Sequence, residues 1–321
     1  MITLSKIAKL AHVSVSTVSK AFSMSKEVNP ETREIIFQIA REHHCFKKYY
    51  NAKYPKLVIA VICPEFDSLY YAKWLAEIQR YAGKFNCEIC VASTNFNKET
   101  EQEIIEYYSN YTAVDGIIII QKLSEIKNNT EIPIVSIGNV SIENESVSVH
   151  FDFDDAFEKV IDYFKENEIR KIGYIGENHT IYKKDKLCNL LKKKGLEEDE
   201  DIIVTVPERF ENGGYLAMEK ILGTGKVPRA VICAYDSMAI GAMRCIKERG
   251  LKIPEDIAIV GIDNIEAGKY FTPSLSSMGF DMELATVTAV DNLINVIKGK
   301  PYIKEAVIKA EVYLRESTKM V

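Results

Sequence analysis

The stretch Ser5-Lys6-Ile7-Ala8-Lys9-Leu10-Ala11-His12-Val13-Ser14-Val15-Ser16-Thr17-Val18-Ser19-Lys20 decides how the chain begins. Ile7, Ala8, Leu10 and Ala11 recur at helical spacing and Val13 interrupts them. Ser14 then stands where an N-cap opens a second helix carrying Val15, Val18, Ala21 and Phe22. Two short helices around a tight turn make a helix-turn-helix, and such a second helix is about as wide as the major groove of DNA. The hydroxyls of Ser14, Ser16 and Thr17 can reach phosphates and base edges, with Lys20 one turn further along. Downstream, Asn29-Pro30-Glu31 offers a third helix its N-cap, a proline at the first helical position and an acid in the positive first turn. A headpiece over residues 3–45 is expected, with a core of Leu4, Ile7, Leu10, Val18, Phe22, Val28, Ile35, Ile36 and Ile39.

Charge is divided unevenly along the chain. Residues 1–56 hold ten Lys/Arg against four Asp/Glu, a surplus of +6, so the total of −5 leaves −11 on the remainder. A basic head collects phosphates while an acidic body avoids adhering to DNA non-specifically. The 321 residues, 47% of them apolar, are enough for two or three domains with sizeable cores. No apolar run approaches the roughly 18 residues that span a bilayer, and Met1-Ile2-Thr3 leads into a helix without a signal-like n-region. A cytoplasmic protein without membrane contact is expected. The seven cysteines are an odd number scattered through apolar stretches, which fits reduced thiols. Cys87-Glu88-Ile89-Cys90 lies in a strand-like run whose residues three apart point to opposite faces, and no second pair completes a metal site. Neither metal nor cofactor is expected.

From Leu57 the pattern becomes alternating strands and helices. Leu57-Val58-Ile59-Ala60-Val61-Ile62 is a continuous apolar run of the kind a parallel strand buried on both faces requires. A helix over 69–85, strand 88–92, helix 98–111, strand 116–120 and strand 134–137 follow, a doubly wound sheet. After the linker-like residues 139–146 the pattern restarts. Helices at 154–166, 182–194, 211–222 and 237–249 alternate there with strands at 171–175, 202–206, 230–233 and 257–260. Gly223-Thr224-Gly225-Lys226 is a turn and not a phosphate loop, because no glycine stands five before Gly225 and Val227 replaces the required Ser/Thr. No nucleophile elbow or paired catalytic His and carboxylate appears. Lys192-Lys193-Lys194 reads as a solvated helix end.

Val13-Ser14-Val15-Ser16-Thr17-Val18-Ser19-Lys20, followed by Val28-Asn29-Pro30-Glu31-Thr32-Arg33, resembles the DNA-binding headpiece of the lactose/galactose repressor (LacI/GalR) family. The resemblance continues through Phe210-Glu211-Asn212-Gly213-Gly214-Tyr215, Asp236-Ser237-Met238-Ala239-Ile240-Gly241, Val260-Gly261-Ile262-Asp263-Asn264, Tyr270-Phe271-Thr272-Pro273 and Arg315-Glu316-Ser317-Thr318. It implies a small all-α headpiece (1–45), a hinge (46–56) and a two-lobed α/β body (57–321) similar to periplasmic binding proteins, built on two doubly wound parallel sheets. Lobe 1 is expected at about 57–146 plus 275–321 and lobe 2 at about 147–274, with an effector cleft at the carboxyl ends of both sheets. The hinge departs from the family. It is about four residues short, lacks the alanine-arginine-x-leucine of the usual hinge helix, and contains Pro55. Two readings stand for it: Tyr50 or Tyr54 as a wedge in the minor groove, or a plain tether whose lysines, Lys53 among them, touch phosphates.

The resemblance also assigns roles. Val15, Ser16 and Lys20 read bases, while Thr3, Ser14, Thr17 and Ser19 serve phosphates or helix starts. Lys20 stands where the family usually has arginine, so it lacks the two-pronged fork for guanine. His12 occupies a turn position where the family prefers glycine. For the effector, Asp263 follows a strand end and is expected to accept hydroxyls, the alternative being a helix cap. Lys183, Tyr235 and Asn139 fall at further effector positions, with Tyr70 and Tyr71 where an aromatic pair is usual. The expected protein is a homodimeric, sequence-specific DNA-binding repressor controlled by a small molecule, a sugar in preference to a purine. The alternatives are a sugar-binding protein or enzyme of the same body fold, and a regulator controlled by a protein co-repressor.

Overall fold

The structure, a computed structural model, describes residues 2–46, 49, 56–125, 132–138 and 147–319, so the residues expected to matter at Tyr50, Lys53 and Asn139 lie outside the described set. The chain divides into two units, Met1–His150 with Met282–Val307 and Phe151–Asp281 with Ile308–Val321.

The first unit begins with three helices, α1 (Leu4–Leu10), α2 (Val15–Phe22) and α3 (Pro30–Glu42). Ile7, Ala8, Val18, Ala21, Phe22, Val28, Ile36, Phe37 and Ala40 form their core. Two residues expected inside are outside, Leu10 at 45% and Ile35 at 51% exposed. In α3 the inward stripe is Ile36, Phe37 and Ala40, and its pitch turns the preceding Ile35 to solvent. The head also extends past residue 45, because Cys45 and Phe46 are buried in its core and Tyr49 packs against it. Phe22 and Phe37 stack at 5.4 Å, Phe37 meets Phe46 edge-on at 5.1 Å, and the Tyr49 hydroxyl donates to the Ile2 carbonyl at 3.2 Å. Phe46 therefore belongs to the head and not to the hinge.

The rest of the first unit is a sheet of β1 (Leu57–Cys63), β2 (Cys87–Ser93), β3 (Gly116–Ile120), β4 (Ile134–Gly138), β5 (Val147–Asp152) and β11 (Glu305–Lys309), in the order β11-β5-β4-β3-β1-β2. From β5 to β2 every pairing is parallel. Helices α4 (Leu69–Ala82) and α10 (Met282–Ile297) pack against each other, while α5 (Lys98–Asn110) lends Ile105 to the apolar layer of Ala60, Ile62, Ile117 and Ile119. The strand β5 is not expected from the sequence, in which only a linker-like stretch precedes the helix at 154–166.

The second unit repeats the plan with β6 (Ile172–Glu177), β7 (Ile203–Val206), β8 (Ala230–Cys233), β9 (Ala258–Ile262), β10 (Ser276–Gly279) and β12 (Glu311–Tyr313), in the order β12-β10-β9-β8-β6-β7. All pairings are parallel except β10 with β12. Its helices are α6 (Asp154–Glu166), α7 (Ile181–Lys193), α8 (Phe210–Gly223) and α9 (Asp236–Glu248). Two boundaries are corrected here. The chain leaves this unit after Asp281 and not near Ser274, because Ser276–Gly279 is a buried strand paired with β9. It also returns at Ile308, so the last residues complete the second sheet through β12 and not the first. The lysines at the end of α7 are paired across to α6: Lys193 with Glu158 and Lys194 with Asp162, both at 2.8 Å, with Lys186 bonded to Asp154 one stage back.

Helices α8 and α9 approach closely enough to exclude side chains. A Cβ on Gly214 would lie 1.9 Å from the Met238 carbonyl oxygen, and one on Gly241 would lie 1.8 Å from that of Glu211. The obstacle in each case is backbone, which cannot swing aside. Gly241→Ala should therefore cost at least about 2 kcal/mol of unfolding free energy despite the better helix propensity of alanine, as read by urea denaturation. A variant as stable as the parent would show that the two helices can separate freely.

Candidate functional site

The head presents one polar helix face. Thr3 caps α1 by accepting the Lys6 N–H at 3.3 Å, and Ser14 caps α2 by accepting the Thr17 N–H at 3.0 Å. The Ser14 hydroxyl also meets those of Ser16 at 2.7 Å and Thr17 at 2.8 Å. His12 has φ 53°, the left-handed conformation that makes glycine the easier choice at this turn. With the start of α2 fixed, Val18, Ala21 and Phe22 turn inward and Val15, Ser16, Ser19 and Lys20 stand exposed on one side. Capping and the helical period together determine which residues of α2 are exposed.

In the body, the loops that follow parallel strands gather at the carboxyl edge of each sheet. The strand order reverses at β1/β3 in the first sheet and at β6/β8 in the second, the positions where open α/β sheets leave a crevice. Backbone strain collects at the same edges. Asn95 and Phe96 after β2, Gln121 after β3, and Asp263 and Asn264 after β9 all have positive φ. Such residues cost of order 1–3 kcal/mol each and persist where the surroundings dictate them.

At the second sheet's edge the structure brings Lys183, Tyr235 and Asp263 together. Lys183, in the first turn of α7, donates from Nζ to the Ala234 carbonyl at the end of β8, 2.7 Å away. Burial opposes its charge, but Tyr182, Asp263, Glu177 and Asp236 outweigh that and raise its pKa. Asp263 has φ 98° and donates its backbone N–H to the Met278 carbonyl at 2.7 Å. Burial raises its carboxyl above the ordinary value, and Lys183 pulls it back only in part. Asp263 does not cap a helix, since the short turn Glu266–Tyr270 has Ile265 at its cap position. The Tyr235 hydroxyl accepts the Phe210 N–H at 3.0 Å and is pushed up to about 12, chiefly by burial. Phe210 pays for this with φ 56°, and the Arg209 guanidinium lies 4.6 Å over its ring.

Asp236 is the residue at this edge whose role the sequence did not reveal. It is 1% exposed, and its carboxyl accepts from Ser277 Oγ at 2.6 Å and from the Ile265 N–H at 2.7 Å. Gly261 makes room for it, since a Cβ there would fall 1.9 Å from Asp236 Oδ1. In the first unit Tyr70 and Tyr71 open α4 with ring centroids 5.2 Å apart, Tyr71 buried and Tyr70 half-buried. Near the end of β3, the buried Glu101 carboxylate accepts the backbone N–H groups of Leu123 and Ser124 and the Ser124 hydroxyl. No group of three or more His, Cys, Asp or Glu able to hold a metal ion occurs among the described residues. Cys87 and Cys90 are free thiols, each approaching a different backbone carbonyl, that of Phe85 and that of Ile59. No helix among the described residues is long and apolar enough to cross a membrane.

A head with an exposed recognition-type helix, joined to two α/β units with strained carboxyl edges, defines a DNA-binding transcriptional regulator with a ligand-binding body. Residues 3–45 match the model of bacterial regulatory proteins of the lacI family, and residues 161–318 match that of the periplasmic binding protein-like domain. The chain thus pairs a lacI-family DNA-binding domain with a periplasmic binding protein-like domain. It is 26% identical over 292 residues to catabolite control protein A of Staphylococcus epidermidis, covering 86% of this chain and 87% of that protein. Its fold is shared with the lac repressor dimer bound to operator, with a TM-score of 0.70, 21% identity and 99% of each chain covered. The regulator CelR in its cellobiose complex is similar, with a TM-score of 0.68 and 22% identity over 99% of this chain and 100% of that one.

Both oxygens of Asp236 accept hydrogen bonds, yet burial, reinforced by Asp263, holds its carboxyl well above the usual 3.8. The native state therefore keeps a proton that the unfolded chain loses, so this group's contribution to stability is greatest below pH 3.8 and declines as pH rises above it. Asp236→Asn imitates the neutral acid, with its oxygen toward Ile265 and its amide toward Ser277, whose own proton can turn to the Met278 carbonyl. Unfolding curves at several pH values should show stability shifting in the variant's favour, relative to the parent, as pH rises. A difference independent of pH would mean that Asp236 titrates alike in the folded and unfolded chain.

Proposed function

We propose that this regulator is a repressor whose grip on its operator is set by a small polyhydroxylated molecule, a sugar, bound at the carboxyl edge of the second sheet. The observation that carries the reading is that Lys183, anchored on the Ala234 carbonyl, and Asp263, held at φ 98°, influence one another as opposite charges at this edge, near a crevice position. A hydroxyl can accept from the ammonium and donate to the carboxylate at once, which a hydrocarbon or a simple ion cannot do. The Tyr235 ring and the Phe210 ring, 6.1 Å apart, add apolar surface of the kind that packs on a sugar face. The cellobiose carried by CelR supports the same ligand class. Tyr70, Tyr71 and Asn139 are further proposed effector residues, on the family resemblance.

On DNA, Val15, Ser16 and Lys20 are proposed to read base edges, with Thr3, Ser14, Thr17 and Ser19 serving phosphates or holding helix starts. Tyr50 and Lys53 are proposed to contact the duplex from the tether. One head offers little area, so two related by a twofold axis reading a palindrome is the economical arrangement. The chain is read as a cytoplasmic regulator and not as an enzyme, in keeping with the regulators it resembles.

A gel shift on the protein's own upstream region should show binding that is lost on deleting residues 1–56. Asp263→Ala should weaken the effector about 10- to 100-fold while operator binding without effector stays unchanged. Binding would be followed by thermal shift over mono- and disaccharides and purines. A sugar that binds the parent and the variant equally would place the effector elsewhere.

A further inference from the structure

The head carries an acid where it meets an acidic polymer. Lys20, at the end of the exposed face of α2, donates to Glu27 Oε2 at 2.5 Å, and the two side chains are 50% and 69% exposed. Glu27 is not on a loose loop. Arg33 donates to the carbonyls of Ser25 at 2.6 Å and Val28 at 3.1 Å, on either side of it, and the Glu27 N–H donates to Ser25 Oγ at 3.3 Å. Its carboxylate is therefore held beside the recognition helix before DNA arrives. That carboxylate is ionised at neutral pH like any exposed glutamate, and the Lys20 hydrogen bond lowers its pKa further.

An ionised carboxylate at this face is repelled by phosphates and by every acceptor on a base edge. In the major groove only the amino groups of cytosine and adenine can donate to it, and the established partner of a Glu side chain is cytosine N4. Lys20 alone is an undiscriminating cation that grips phosphate and guanine alike, since ammonium lacks the arginine fork. Coupled to Glu27 it becomes a donor and an acceptor fixed side by side, which matches the guanine O6/N7 acceptors and the cytosine N4 donor of one G·C pair or of adjacent pairs. We infer that Glu27 is a specificity-determining residue: it withholds Lys20 from phosphates and rejects half-sites that lack a correctly placed cytosine. This rests on the reading that the exposed face of α2 meets base edges.

The test is selection from a randomised duplex library, followed by competition against non-specific DNA, with the full-length parent, Glu27→Gln, Glu27→Ala and Lys20→Met. Thermal melting of each variant verifies the fold. The parent should select one G·C pair per half-site that both Glu27 variants no longer require. Replacing that pair by A·T should weaken the parent at least about fivefold more than the variants. Non-specific binding should tighten in both Glu27 variants, and by more than when Glu27→Gln is added to Lys20→Met. Variants that bind every sequence more tightly by one common factor, with the selected motif unchanged, would overturn the proposal, as would variants indistinguishable from the parent. If the parent itself selects no motif, the base-reading assignment of α2 fails first, a result separate from either of these.

Discussion

A single buried carboxyl group, that of Asp236, ties together the segments that must be in place before the second sheet can have a binding edge. It opens α9, accepts from the strand β10 through Ser277, and accepts from the chain that leaves β9 through the Ile265 N–H. The carboxyl fits only because Gly261 has no side chain. From Ser277 the network passes on: its hydroxyl accepts the Asn264 N–H, the Asn264 side chain accepts from Arg315, and Arg315 also donates to the Leu275 carbonyl. Asp263 sits between these fixed points with φ 98°, a conformation the chain would not choose alone. The neighbours impose it, and the proposed hydroxyl acceptor is consequently aimed by a buried group that need not touch the ligand.

The electrostatics at that edge follow from the same arrangement. Asp236 and Asp263 repel one another, so burial and mutual proximity both raise Asp236, while Lys183 offsets part of the burial of Asp263. Lys183 keeps its proton in spite of burial because acidic neighbours and the Ala234 carbonyl receive it. A charged donor and a carboxylate are thus kept near each other in a partly desolvated place, where hydrogen bonds to charge are stronger than in water.

Much of this was legible in the sequence where a local rule and a long-range rule agree. Ser14 and Asn29 mark helix starts by their side chains, and the cores of α2 and α3 follow the helical period, so the head could be drawn from residues alone. Ile35 misled because it is apolar beside Ile36, and only packing decides which of two adjacent isoleucines turns inward. The continuous apolar runs of β1 and β3 were plain. β5 was not, since Val147-Ser148-Val149-His150 carries polar residues and follows a stretch that reads as linker. Lys183, Tyr235 and Asp263 are effector candidates through resemblance, and the fold places them at one sheet edge. Asp236, Phe210 and Glu177 were not assigned to the site, because their importance lies in burial and in backbone angles that one-dimensional spacing does not encode.

The packing of Phe46 and Tyr49 onto the head has a mechanical consequence. With Tyr49 anchored, the leash to the first body strand at Leu57 is only the seven residues 50–56. Whatever shape it takes, such a segment spans at most about 25 Å. In the proposed dimer, two heads on leashes that short would not reach distant half-sites, and the partner body would act as a ruler. Duplexes with the right letters at the wrong spacing or helical phase would then be refused by geometry, before any base is read.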